Sequence, residues 1–349
     1  MRRFLYHRSA VLGLVFIVLV ALLGTFAYTL APDNSPSANQ IQLPLALKQP
    51  GFSCGFIRLK KSNSNELGSF LSGCEKNYEA IPINTVKVLG DSIQYEEYDL
   101  PEDSLNSLKS VATESLLKNG NDYIFNQTFW LGTDRYGRDM LSRMLVGARV
   151  SLAVGFVAVF ISGLLGLILG LVAGYFRGRT DAIISWLISV VWALPTLLIV
   201  ISITLALGKG FWQIFIAVGL TIWVEVARLV RGQVISLREK DFVDAAHALG
   251  ASDFRIIFRH LLPNLTGPLI VICTANFAAA ILLEAGLSFL GIGIQPPEPS
   301  WGQMLREHYG YIVLDLPYLA IIPGAAIMLL VIAFNMVGDG LREALDIRD

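Results

Sequence analysis

Few side chains in this sequence are spaced to make or break a bond. His7, His247, His260 and His308 are the four histidines, and they are scattered without a zinc-binding pattern. "LGKG" at Leu207–Gly210 lacks the spacing of a G-x-x-x-x-G-K-[ST] loop, so nothing here cradles a nucleotide phosphate. In "TDRYGRD", Asp134, Arg135, Arg138 and Asp139 read as a local salt-bridged turn rather than a catalytic pair. Two carboxylates fall near or within apolar runs. Glu225 in "TIWVEVARLV" has Arg228 three residues on, the spacing of an ion pair along one helix face. Glu284 in "ILLEAGLSFLGIG" lies deeper, where a charge must face protein or a wet cavity. It is a candidate for a solute path, or for a hydrogen bond that holds neighbouring helices together. The expectation is a protein with no catalytic residues, no metal and no cofactor. The net charge of −1 gives nucleic acid no basic footprint.

The elements that carry these residues are membrane helices. With 54% hydrophobic and 16% charged residues, the chain has too little charge to cover a soluble domain of 349 residues. Ala10 to Leu30 follows Arg2, Arg3, His7 and Arg8 and would rise roughly 31 Å as a helix, against a hydrocarbon core of about 30 Å. That run exceeds the apolar core of a signal peptide and reads as an uncleaved span. Five more spans are expected, near Val150–Tyr175, Ala182–Leu207, Phe211–Val226, Thr266–Ile292 and Tyr318–Val337. Lys and Arg orient them. Arg177, Arg179, Arg228, Arg231, Arg238, Lys240, Arg255, Arg259, Arg342 and Arg348 share a side with the N-terminal arginines. Only Lys209 and Arg306 fall in the two short opposite loops. Both termini are therefore expected in the cytoplasm. The expected fold is an all-α polytopic membrane protein with six transmembrane helices and an extracytoplasmic insertion over residues 31–128, carrying a few strands. Cys54 and Cys74 would meet an oxidising space there and are candidates for a disulfide. Gly163, Gly166, Gly170 and Gly174 are spaced to let helices approach closely, Pro195 to kink the third span, and Trp301 to anchor at the interface.

One cytoplasmic stretch, "DFVDAAHALGASDFRIIFRHLLPN", reads as a helical hairpin. Phe242, Ala245, Ala246 and Leu249 form an apolar stripe, and Gly250 supplies a left-handed stop. Ser252 is a natural N-cap with Asp253 in the next turn. Phe254, Ile257, Phe258 and Leu261 repeat the stripe, and Pro263 is expected to close the second helix. Part of this surface packs under the spans. The aromatic remainder, flanked by Arg255 and Arg259, suits a protein groove.

This stretch resembles the cytoplasmic EAA loop of ABC-transporter permeases of binding-protein-dependent importers. The pattern falls on Asp244, Ala245, Ala246, Gly250, His260, Leu262 and Pro263, with Asp244 where the family has glutamate and His260 where it has isoleucine. "LGTDRYGRDMLSRMLVGARVSL" and "LEAGLSFLGIGIQPPEPSWGQML" are similar to segments of the oligopeptide/dipeptide/nickel branch, and the order of spans resembles its C-type permease subunit. The resemblance implies a type I importer permease core over 129–345, with its EAA loop at 236–264, after a first cytoplasmic and membrane segment (1–30) and before a tail (346–349). It implies that Asp244, Ala245, Ala246, Gly250, Ala251, Ser252, Phe254, Ile257, Phe258 and Pro263 serve coupling to an ATPase, with Ala251 to Phe258 as the docking helix. The implied partners are a second homologous permease subunit, one or two cytoplasmic ABC ATPase subunits, an extracytoplasmic solute-binding protein and the lipid bilayer of a bacterial inner membrane. Peptides or a related small solute would be the cargo. A subunit used for export or sensing, and a stand-alone secondary transporter, are the competing classes.

Overall fold

The computed structural model describes residues 2–61, 68–69, 73–74, 76–89, 92–98, 108–116, 123–208 and 210–345. Lys209 and Arg348 of the charge comparison, and the tail at 346–349, lie outside the described residues. Helices α1 (Arg2–Tyr6), α2 (Arg8–Thr25) and α3 (Ala27–Leu30) open the chain. The His7 Nδ1 accepts from the Ala10 N–H at 3.3 Å and so caps α2.

The insertion folds as an antiparallel sheet. Its strands are β1 (Phe52–Lys60), the short pair β2 (Gly68–Ser69) and β3 (Gly73–Cys74), β4 (Tyr78–Leu89), β5 (Ser92–Glu97), β6 (Leu108–Ala112) and β7 (Ile124–Phe129). Five of them pair in the order β6-β5-β4-β1-β7. The alternation in "FSCGFIRL" sets the two faces, since successive strand side chains point opposite ways. Phe56 packs with Leu45, Cys54, Ala80 and Phe129 on one side, and Ile57 with Ile83, Ile93 and Tyr95 on the other. The expected Cys54–Cys74 disulfide is not formed. Cys54 is buried within the aromatic face of β1, its thiol directed at the Ile83 carbonyl 3.9 Å away. Cys74 belongs to the separate two-stranded ribbon, whose backbone is tied instead to the Asn34 carbonyl.

The segment before the sheet is zipped to the segment after it. Gln42 N–H bonds the Tyr136 carbonyl at 3.0 Å and Leu47 N–H the Asp134 carbonyl at 3.0 Å. A Cβ on Gly137 would lie 1.8 Å from the Gln42 carbonyl oxygen, so this crossing requires glycine.

The membrane core follows as α4 (Met140–Phe176), α5 (Gly178–Ala193), α6 (Thr196–Leu207), α7 (Phe211–Arg238), α8 (Asp241–Ala248), α9 (Asp253–Ile256), α10 (Leu262–Phe289), α11 (Trp301–His308) and α12 (Tyr318–Leu345). Among the described residues, five helices are long and apolar enough to cross a membrane, or six spans when the bent pair α5–α6 counts as one. The third span is thus broken more sharply than a proline kink, with a 96° turn at Leu194–Pro195. Helices α4 and α7 run side by side in the same direction. Cβ atoms on Gly166 and Gly174 would lie 2.5 and 2.8 Å from the Cβ atoms of Val226 and Val234. Only glycine permits this approach, and van der Waals packing replaces the missing hydrophobic drive between helices in lipid. Gly163 stands apart from this stripe and faces the Cys273 Sγ at 3.6 Å. On the other side of the bundle, α2, α10 and α12 pack through Val20, Ile281, Leu330 and Phe334, with Phe277 stacked on Phe334 at 4.1 Å. Trp301 is no interfacial anchor. It is buried at the start of α11, where its Nε1–H donates to the Met144 carbonyl at 3.0 Å.

Candidate functional site

The hairpin after α7 is built as two helices about Gly250. The Gly250 N–H bonds the His247 carbonyl at 2.9 Å and the Ala251 N–H the Ala246 carbonyl at 3.0 Å, with Gly250 at φ +77°. This double closure consumes the free carbonyls of α8 and needs the left-handed residue. Ser252 precedes α9 but its side chain makes no capping bond. Pro263 does not end the second helix. The chain runs from α9 through a π-turn at Ile257–Leu261 directly into α10, with the proline in the first turn of α10. A first-turn proline removes no donor that the helix uses.

The buried stripe keeps Ala246 and Leu261 of the expected one and is otherwise rotated from it. Val243, Ala246, Ile256 and Leu261 are buried against Tyr175, Val234, Leu237 and Leu265. Leu249, Phe254 and Phe258 are 88%, 70% and 52% exposed, with the two phenyl rings 4.3 Å apart. Ala245, Asp244, Arg255 and Arg259 share the exposed side, while Ala251 and Ile257 are half-buried. The hairpin is fastened to the end of α4, where the Tyr175 hydroxyl donates to Asp253 Oδ1 at 2.6 Å, and that end is tied to α7 by Arg238 Nη1 donating to the Tyr175 carbonyl at 2.6 Å. The result is a loop packed against the spans, with an aromatic and charged outer surface.

A second polar constellation lies at the opposite end of α4. Arg138 donates to Asp134 Oδ2 at 2.6 Å, to Glu307 Oε2 at 2.8 Å and to Asn39 Oδ1 at 3.1 Å. Asp139 caps α4 by accepting from the Ser142 N–H at 2.9 Å, and Arg135 lies over the Tyr136 ring. Of the salt bridges expected in this turn, the Asp134–Arg138 pair is formed locally, and Arg138 also reaches across the fold to Glu307. The fully buried Arg143 approaches Asp134 and Glu307 at 3.8 Å each. His308 holds Nδ1 against the Met304 carbonyl at 2.7 Å, leaves Nε2 unpartnered, and burial pushes its pKa down. Ligand atoms of Asp134, Glu307 and His308 lie within 4.8 Å of one another. Two guanidiniums crowd those carboxylates, so the cluster suits a salt-bridged clasp better than a cation. Sequence reasoning missed Glu307 because nothing local links it to a turn so far upstream.

The two membrane carboxylates exchange roles. Glu284 is 1% exposed, and its Oε1 accepts from the Ser288 hydroxyl at 2.7 Å. It ties the last turns of α10 to one another and is enclosed by the described residues. Glu225 is exposed on α7, and the local pair with Arg228 is not formed. The Arg228 guanidinium lies instead over the Trp192 ring, 3.7 Å from its centroid.

Residues 166–348 match the family described as binding-protein-dependent transport system inner membrane component, and residues 1–50 match the N-terminal TM domain of oligopeptide transport permease C. The chain is 45% identical over 217 residues to the glutathione transport system permease protein GsiD of Escherichia coli O6:K15:H31 (strain 536 / UPEC), covering 62% of this chain and 71% of that protein. The GsiD protein of Shigella boydii serotype 4 (strain Sb227) matches to the same extent, 45% over 217 residues with the same coverage. Among solved structures, the inward-facing MetNI methionine ABC transporter superposes with a TM-score of 0.49 at 20% identity, over 59% of this chain and 97% of that one.

Proposed function

The chain belongs to the binding-protein-dependent transport system inner membrane components, the membrane subunits of ABC importers, and from that premise we propose how it works. It forms half of a translocation path for short peptides or a related solute such as glutathione. A second homologous permease subunit forms the other half, and a solute-binding protein delivers the cargo outside. One or two cytoplasmic ATPase subunits grip the 241–264 hairpin. Both termini lie in the cytoplasm, and ATP hydrolysis takes place on the partner ATPase.

The observation that carries this reading is the division of the hairpin into a buried stripe and a solvent-facing Phe254–Phe258 pair. Exposed aromatics beside arginines suit insertion into a protein groove. Asp244, on the same exposed side, pairs with a basic group of the ATPase, and Gly250 sets the angle between the two short helices. The test is Phe258→Glu in the assembled importer. Uptake and copurification of the ATPase should both fall, while Phe258→Leu retains them. Full uptake with bound ATPase in the Phe258→Glu protein would refute the docking assignment.

A further inference from the structure

The geometry points to a recognition pair for the two charged ends of a zwitterionic solute, formed by Glu225 and Arg228 of α7 with Trp192 under the guanidinium. This rests on the reading of the chain as half of an importer's path. The Trp223–Val226 turn of α7 rests on Gly166, which lies ten residues before the end of α4 at Phe176, roughly 15 Å along the helix. Below it, Arg231 meets Asp181 at 2.7 Å, where α5 leaves the cytoplasmic side. Glu225 therefore sits inside the apolar layer, six residues or roughly 9 Å above that ion pair.

Both side chains are exposed, yet neither is neutralised by an ion pair among the described residues. A charge facing lipid at this depth is costly, so this face of α7 meets water or another charged group. A second feature lies beside it. Trp192 occupies the last turn of α5, next to the 96° break at Leu194–Pro195, where the backbone leaves the helix with both residues exposed. Non-helical backbone at membrane depth is tolerated where protein covers it or where it lines a wet cavity. The charged pair and the break share one corner, Arg228 lying 3.7 Å above the Trp192 ring.

The chemistry of that corner selects a class of ligand. A guanidinium stacked on an indole keeps its edge donors free for a bidentate carboxylate. A lone carboxylate one turn away accepts from an ammonium group. Residues three apart on a helix set these groups about 5–6 Å apart at Cβ, and both side chains splay further. A free amino terminus and a free carboxyl terminus on one short peptide match that pair. Glu284 is enclosed within its own chain and is not available for this role.

The experiment uses the complete permease–ATPase complex in nanodiscs without the solute-binding protein, so that only the path selects. Binding of labelled trialanine is compared with its N-acetylated and C-amidated forms. The wild-type complex should prefer free trialanine by at least tenfold. Glu225→Gln should abolish the penalty for N-acetylation alone, and Arg228→Gln the penalty for C-amidation alone, with Arg228→Lys retaining part of it. Subunit stoichiometry should stay unchanged. Unaltered discrimination in both variants would overturn the pair, and so would loss of the second permease subunit from either complex, which would mark a subunit interface. Failure of the wild-type complex to bind trialanine at all would overturn the peptide-path reading itself, and the pair with it.

Discussion

Replacing Arg138 by methionine tests whether the outer clasp is held by charge. Asp134, Arg138 and Glu307 have side chains only 0%, 4% and 9% exposed, and Arg138 bridges both carboxylates at 2.6 and 2.8 Å. Removing one partner of a buried ion pair costs about 3–5 kcal/mol, because the remaining charge is left without compensation. Arg143 stays 3.8 Å from each carboxylate and offsets part of the loss. The expected cost of Arg138→Met is therefore near the lower end, about 3 kcal/mol or roughly a hundredfold in the folded-to-unfolded ratio. Adding Glu307→Gln leaves Asp134 facing Arg143 alone, a neutral pair, and should recover at least half of that loss. Reversible unfolding in mixed micelles with increasing dodecyl sulfate, followed by tryptophan fluorescence, measures both variants. A single variant within about 1 kcal/mol of wild type, or a double variant less stable than the single, would show that packing rather than charge holds the clasp.

Three further outcomes are expected. Gly170→Ala puts a methyl carbon 2.7 Å from the Ala227 carbonyl oxygen and should cost about 1–3 kcal/mol in the same assay, whereas Gly232→Ala meets open space and should gain about 0.5–1 kcal/mol. Burial holds the His308 pKa below its ordinary value, so the unfolded chain takes up the proton first as the medium is acidified. Stability should be intact above about pH 6.5 and fall below it, and His308→Gln should flatten that acid limb in a pH series of melting curves. Gly250→Ala forces a side chain into φ +77° and should strain the hairpin by about 1–2 kcal/mol, lowering ATP-driven uptake while the protein stays in the membrane; Gly250→Asn should retain more uptake.

Local physics made the spans and the hairpin legible. A run such as Ala10–Leu30 has to find a hydrocarbon environment wherever the rest of the chain goes. Gly250 stops α8 because the left-handed backbone is a property of that one residue. A few strands were likewise legible in the insertion, while their pairing order was not. Helical period also announced an apolar stripe on the hairpin and correctly included Ala246, yet it named Phe242 and Leu249 where the fold buries Val243. Period fixes that a helix has a face. The partner helices at its base, α4, α7 and α10, fix which face is covered.

Contacts between distant residues were decided only by the tertiary structure. Arg138 finds Glu307 across 169 positions of sequence, a pairing that no local spacing encodes. Two glutamates that look alike in the sequence part company for the same reason: the Ser288–Ser300 end of the bundle closes over Glu284, while Glu225 stays exposed among the described residues. Pro263 could be read as a terminator or as a first-turn residue, and the continuous path into α10 selected the second. Sequence by itself determined which segments are long and apolar enough to enter a membrane and where the hairpin bends, because each depends on residues within a few turns of one another. The fold alone decided which charges are enclosed and which stand open, because burial is set by neighbours that the chain brings together only when it packs.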